Sequence, residues 1–168
     1  MATCLSQTAI SKNCGYVLGG LSRLWYANYS QYSACTQDGT GTVTAITLSG
    51  AAKFYEIEFE DNQASYTDAL ELANGNRYIK QGVTLKLARK DASMIDLSDD
   101  INLARMVFVC QDRLGNRYLL GRVNGLTTTI SDLSSGTAVG DFAGWSFAAE
   151  GFESARMAIL STSVVLAV

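Results

Sequence analysis

Alternation of apolar and polar residues is the strongest pattern in this chain, and it predicts a protein built mainly of β-strands. It is clearest between residues 54 and 60, where three apolar side chains alternate with three glutamates: Tyr55, Ile57 and Phe59 with Glu56, Glu58 and Glu60. Successive side chains of a strand face opposite ways. We therefore expect the apolar set on the core face of a strand and the three glutamates together on its other face.

Several other runs have the length and composition of strands. They are residues 42–48, 64–72, 78–90, 106–110, 117–123, 144–149 and 156–165. Asn74-Gly75 is a strong signal for a two-residue hairpin turn, and 112–116 predicts a second turn. The apolar run 106–110 is typical of a fully buried strand. Residues 126–141 are polar and small, which predicts a long loop.

One segment departs from the alternating pattern and predicts a helix near residues 92–104. Met94, Leu97, Ile101 and Ala104 recur at spacings of three and four, as on the apolar face of a helix. Ser93 and Asp96 resemble a capping box at its start. The predicted fold class is therefore mainly β (α+β): an antiparallel β-sandwich or partly closed barrel with one flanking helix.

Residues 1–41 differ from the rest, because Lys12, Arg23 and Asp38 are their only charged side chains. Aromatic residues are enriched in interface cores. One interpretation is an N-terminal arm, 1–41, that packs on a neighbouring subunit, followed by a sandwich or barrel domain, 42–168. The other is a set of ordinary strands in the same core. The candidate interface residues of the arm are Trp25, Tyr26, Tyr29 and Tyr32.

Composition narrows the classes of function. Only 17% of the residues are charged, against about 25% in average globular chains, which suits a protein whose faces are covered by neighbours. The net charge is -3 and the basic residues are scattered. Tight nucleic-acid binding usually needs clustered Lys and Arg, so we do not expect it here.

The chain contains no His, which removes the commonest general base and metal ligand. We therefore predict no enzymatic activity, metal or cofactor. No cysteine pair has Cys-x-x-Cys spacing. Cys110 is expected to be a buried thiol, and a disulfide among Cys4, Cys14 and Cys35 stays open. The C-terminal apolar run, 157–168, is shorter than the about 20 residues that span a bilayer, so we expect no membrane insertion.

Several motifs together resemble the tail-tube and tail-ring proteins of tailed bacteriophages, including those of crAss-like phages. They are Gly19-Gly20-Leu21, Trp25-Tyr26-Ala27-Asn28, the helix followed by the hairpin 112–123, Leu119-Leu120-Gly121 with Gly125, Ser135-Gly136-Thr137, and Asp141 leading to Gly144-Trp145. The resemblance implies a structural protein of the virion tail, assembled in the host cytoplasm. It implies self-association into a ring, most often a hexamer, contact with neighbouring tail or portal proteins, and DNA that passes only transiently.

Such a conduit must let DNA slide, and an acidic or neutral wall achieves this because strong binding depends on neutralising phosphates with Lys and Arg. Glu56, Glu58 and Glu60 are therefore the candidate lumen residues. They can equally be explained by salt pairing with Lys86 and Lys90. Three other functions stay open at this point: a carbohydrate-binding β-sandwich that uses Trp25 and nearby tyrosines, a small hydrolase with two carboxyl groups converging in a cleft, and a capsid accessory protein.

Overall fold

The structure, a computed structural model, describes residues 15–166. These residues form eleven strands, one short 3₁₀ turn at Tyr29–Gln31 and one α-helix. The strands are β1 Leu21–Asn28, β2 Tyr32–Gln37, β3 Val43–Leu48, β4 Tyr55–Ile57, β5 Ala64–Ala73, β6 Asn76–Leu87, β7 Arg105–Asp112, β8 Arg117–Leu120, β9 Leu126–Ser134, β10 Gly144–Glu153 and β11 Ala158–Leu160; the helix is α1, Ala92–Leu103. The mainly β fold with a helix is confirmed.

Strand β7 is the branch point of the sheet. One of its edges pairs with β1, which in turn pairs with β4. Its other edge pairs first with β9 and then, further along, with β8. The strand order across the sheet is β2-β3-β11-β8-β7-β9-β10-β6-β5. All pairs are antiparallel except β3 with β11, and the sheet does not close into a barrel, because β2 and β5 end the order without pairing to each other.

Because β7 branches, its residues 106–110 are buried on both faces, as the sequence predicts. Met106, Phe108 and Cys110 enter one apolar cluster, which β6, β10 and α1 cover from the opposite side. Val107 and Val109 enter a second cluster with residues of β1, β3, β8 and β11. The first cluster is thus a sandwich core. The second lies on the opposite face of β7, where β3 and β11 cover it.

Helix α1 begins at the predicted place but with a different cap. The side chain of Asp91 accepts a hydrogen bond from the Met94 backbone N–H at 2.9 Å, so Asp91 is the N-cap and the Ser93–Asp96 capping box is wrong. The buried positions are Met94, Ser98 and Ile101. Leu97, predicted for the apolar face, is partly exposed instead.

Both predicted hairpin turns are confirmed. β5 and β6 are joined by Asn74-Gly75, whose φ angles of 51° and 82° are those of a tight hairpin turn. In the β7–β8 turn, Asp112 Oδ1 accepts the backbone N–H groups of Leu114 and Asn116, each at 2.8 Å.

Two sequence predictions about strands are wrong. Residues 126–134 form β9 rather than the start of a long loop, because β9 lies between β7 and β10 and exchanges backbone hydrogen bonds with both. The run 54–60 is a strand only at Tyr55–Ile57, and its partner is β1.

Within the predicted arm 1–41, residues 21–37 contain β1, the 3₁₀ turn and β2, all of which belong to the sheet. For this stretch the structure favours the interpretation of ordinary strands. Residues 1–14 lie outside the described residues, so contacts made by the start of the chain stay a prediction.

Candidate functional site

The first candidate site is the group of three glutamates, of which only Glu56 lies within a strand. Glu56 lies in β4 and forms a two-pronged ion pair with Arg23 on the neighbouring strand β1. The Nε–Oε1 and Nη2–Oε2 distances are both 2.7 Å. This hydrogen bonding lowers the pKa of Glu56. The guanidinium of Arg23 also lies 4.6 Å from the ring centre of Trp25.

Glu58 and Glu60 follow the end of β4 at Ile57 and are exposed. The three glutamates therefore do not share the face of one strand, although Glu56 and Glu58 line the same cavity. The alternative explanation, salt pairing of the glutamates with Lys86 and Lys90, does not hold for Glu56, whose ion-pair partner is Arg23. Lys86 lies on β6, with its ammonium 5.5 Å from the ring centre of Phe142.

The second candidate site is the aromatic set Trp25, Tyr26, Tyr29 and Tyr32. Trp25 is only 4% exposed and belongs to the second cluster. Tyr26, on the opposite face of β1, packs on the first cluster, with its ring centre 5.7 Å from that of Tyr55.

Tyr29 and Tyr32 pack against the second cluster, with ring centres 6.1 Å apart. The Tyr29 hydroxyl donates a hydrogen bond to the Val123 carbonyl. The four aromatic residues therefore lie on different faces of β1 and the turn after it, rather than on one exposed platform. Burial of Trp25 also removes it as a stacking surface for a sugar.

A site that sequence reasoning missed is the free edge of β5. Among residues 15–166, β5 pairs with β6 alone. The Lys86 N–H donates to the Gln63 carbonyl at 2.9 Å, and hydrogen-bonded pairs alternate along an antiparallel ladder. The odd-numbered residues of β5 therefore bond to β6, and the even-numbered ones direct their backbone N–H and C=O groups outward. The Asp68 carbonyl confirms this direction, because it accepts a hydrogen bond from Arg156 at 3.0 Å.

Beyond Asp68 this edge carries two exposed leucines. Leu70 is 57% and Leu72 is 67% exposed. Because both are even-numbered, their backbone N–H and C=O groups point away from β6, and each residue also presents an exposed apolar side chain. Proteins usually blunt free edges with Lys, Pro or bulges. β5 contains no Lys, Arg or Pro, and its pairing with β6 has no register shift. The signal was present in the sequence as the lack of basic residues in 64–73, but only the sheet order shows that this strand is an edge.

A large cavity lies between α1 and β4. It has a volume of about 680 Å³, within the range of small-molecule sites. Its walls are mostly apolar, with charged groups at Glu56, Glu58 and Arg89. Arg89 is already bound by Asp91 at 2.6 Å and Glu56 by Arg23. The walls therefore offer apolar contact rather than a set of converging catalytic groups.

A buried hydrogen-bond network connects β6 with the loops that follow β8 and β10. Gln81 Oε1 accepts the Gly121 backbone N–H at 2.9 Å, and Gln81 Nε2 donates to Asp68 Oδ1 at 3.2 Å. Asp68 in turn binds Arg156. Each polar group has a protein partner, so the network holds the loop after β8 and the loop after β10 in place.

Other chemistry is sparse in the described part of the chain. Residues 15–166 contain no group of three His, Cys, Asp or Glu side chains placed to hold a metal. Complete burial raises the pKa of the Cys110 thiol, which makes it inert. Cys35 is half-buried, and Cys4 and Cys14 lie outside the described residues. No helix within 15–166 is long and apolar enough to cross a bilayer.

With the fold and these surfaces established, comparison with known proteins found no matching family model, no matching curated protein and no matching solved structure.

Proposed function

We propose that this chain is a non-catalytic, self-assembling structural subunit, and specifically a component of a tailed-phage tail tube or tail ring. The observation that carries the proposal is the edge of β5, where no strand within residues 15–166 pairs with Leu70 and Leu72 and their apolar side chains are exposed. An edge of this kind is a template for another strand.

Two features support an assembly role over a monomeric one. Exposed apolar side chains also occur outside β5, with Tyr16 and Phe152 among them. Only 17% of the residues are charged, so few charged side chains oppose the association of these apolar surfaces. An edge on one copy that meets a different surface on the next is a head-to-tail contact, which closes into rings or extends into filaments.

In this proposal the region of Glu56, Glu58 and Glu60 faces the DNA conduit. The ring contains six copies, the number that is usual in the family that the chain resembles. Glu58 and Glu60 carry the repulsion of DNA, because the charge of Glu56 is compensated by Arg23 at 2.7 Å. Neighbouring tail or portal proteins would contact the faces of the ring, and DNA would pass without tight binding.

Negative-stain microscopy and light scattering of the purified protein test the proposal. We expect rings or tubes, with a mass that is a multiple of 18.0 kDa. A stable monomer at high concentration, particularly one that binds glycans, would overturn it. In assembled particles, the double substitution E58K/E60K should leave the particles intact but hinder DNA passage. Finding these glutamates on the outer wall would remove the conduit part of the proposal.

A further inference from the structure

Two segments of the described chain carry exposed apolar side chains two residues apart. The first is Leu70 and Leu72 on the free edge of β5. The second is Tyr16 and Leu18, in the segment before β1. Side chains two apart on a strand share one face, so both pairs have the spacing that neighbouring strands need for direct cross-strand contacts.

Among the described strands, β5 is the edge best suited to accept a further strand. It has ten residues in unbroken register with β6. The opposite edge, β2, has six residues and two register shifts in its pairing with β3, and such irregularities disrupt further pairing. β4 has only three residues.

Arg156 defines where the acceptor edge begins. Its guanidinium donates a hydrogen bond to the outward-facing carbonyl of Asp68. The backbone groups of Leu70 and Leu72, nearer the hairpin tip, are then the part of the edge that can accept a strand. This stretch suits a short donor strand with two apolar side chains on one face.

The segment Tyr16–Leu18 has the properties of such a donor. Tyr16 is 96% exposed, and Val17 and Leu18 are also exposed. None of the three is charged. Gly20 follows with φ of 88°, a value that favours glycine, so the chain turns there before it enters β1.

The donor does not reach the acceptor within one copy. Val17 and Leu18 line a cavity together with Ser65 and Tyr66, at the start of β5. Tyr66 and Leu70 are four residues apart, which is about 13 Å along a strand. Tyr16–Leu18 is therefore held at the wrong end of its own β5.

We propose that Tyr16–Leu18 of one copy adds as a strand to the edge of β5 at Leu70–Leu72 in a second copy. This inference rests on the proposed self-assembly and names its contact. Pairing of two β5 edges with each other is less favourable, because Asp68 and Glu71 give this strand only negative charges and like charges across a strand pair repel. The donor segment carries no charge.

Complementation between two full-length variants tests the contact. Y16K/L18K disables the donor and keeps the acceptor, and L70K/L72K does the reverse. All four positions are exposed, so both variants should fold, and L70T/L72T replaces the second if it does not. V139K is the control, because it places a charge at an exposed apolar position that belongs to neither segment.

We expect each double variant alone to be monomeric in light scattering, with its dissociation constant raised at least about tenfold. V139K should assemble as the wild type does. An equimolar mixture of the two double variants should form a 1:1 heterodimer, since one intact donor meets one intact acceptor and the other contact is disabled.

The outcomes separate this inference from the proposed function. If wild-type protein assembles and both double variants assemble equally well, the Tyr16–Leu18 contact is wrong and the proposed function stands. If the variants are monomeric but their mixture gives no heterodimer, the two segments contribute to assembly without binding each other, and the contact of Tyr16–Leu18 with β5 is wrong. If wild-type protein is monomeric at every concentration, both proposals fail.

Discussion

The carboxylate of Glu153 accepts the backbone N–H of Asn124 at 2.9 Å inside a region closed to water. Glu153 is 1% exposed, and its second oxygen accepts the N–H of Val123 at 3.0 Å. The Asn124 side chain returns a hydrogen bond to the Phe152 carbonyl at 2.8 Å. The end of β10 and the loop between β8 and β9 are thereby joined by a buried charge held mainly by backbone groups.

This arrangement predicts an unusual response to pH. Burial raises the pKa of Glu153, although the backbone N–H groups of Asn124 and Val123 oppose the rise. Between the unfolded pKa and the raised folded pKa, the folded state binds more protons than the unfolded state. The contribution of Glu153 to stability is therefore fully present at low pH and is lost as pH rises through the folded pKa.

The measurement is urea unfolding of wild-type protein and E153Q at several pH values. Relative to E153Q, the wild type should gain free energy of unfolding as pH falls from 7 to below the unfolded pKa of Glu. E153A is the control for hydrogen bonding. It leaves buried N–H groups without an acceptor and should cost about 1–3 kcal/mol for each such group at every pH. A wild type that loses stability relative to E153Q on acidification contradicts the prediction.

The Arg23–Glu56 ion pair should be weak despite its geometry. The side chains are 52% and 33% exposed, and exposed pairs typically contribute about 0.2–1 kcal/mol. A double-mutant cycle with R23A and E56A should give a coupling free energy in that range, and it should fall in high salt because screening weakens exposed pairs. Since the pKa of Glu56 is lowered, its contribution should be present at neutral pH and disappear as pH falls below that pKa. A coupling above about 2 kcal/mol would show that the pair is shielded from water, for instance by a neighbouring copy.

Gly144 should be essential for the pairing of β10 with β6. A Cβ at this position would overlap the Leu87 carbonyl oxygen and approach the Ala88 Cα to 2.8 Å. We expect G144A to lower the free energy of unfolding by about 1–3 kcal/mol, as overpacking does. G140A is the matched control, because nothing lies within 4 Å of its Cβ and its φ is not in the left-handed region. Equal stability of the two variants would refute this account of Gly144.

Trp25 and Tyr16 should behave oppositely, although both lie within the weakly charged residues 1–41. Trp25 fills the second cluster, so W25A should cost about 3–5 kcal/mol in thermal or urea unfolding of the monomeric protein. Tyr16 is exposed, and Y16A should change monomer stability by less than about 0.5 kcal/mol. A small loss in W25A would mean that Trp25 is an interface residue after all.

Short-range patterns in the sequence predicted several local elements correctly. The Asn74-Gly75 turn, the helix near 92–104 and the buried run 106–110 were predicted because each depends on neighbouring residues or on a simple period. The failures share a different cause. Residues 126–134 have weak strand character and become β9 because β7 and β10 offer backbone partners on both sides.

The candidate sites depended on tertiary structure even more strongly. Glu56 was visible as one of an alternating set, but its partner Arg23 is 33 residues away and was selected by the register of β4 on β1. The role of Trp25 was decided by which face of β1 it occupies, and sequence alone could not say whether that face is covered.

The sequence by itself determined a mainly β chain, with one helix among its described residues, few charged side chains and no His. Tertiary structure decided that β7 is the branch point, that β5 is an open edge and that Trp25 lies inside. The physical reason is that periodicity and turn chemistry act between neighbours in the chain. Strand partners and exposed edges, in contrast, arise from hydrogen bonds and packing between residues that are far apart in it.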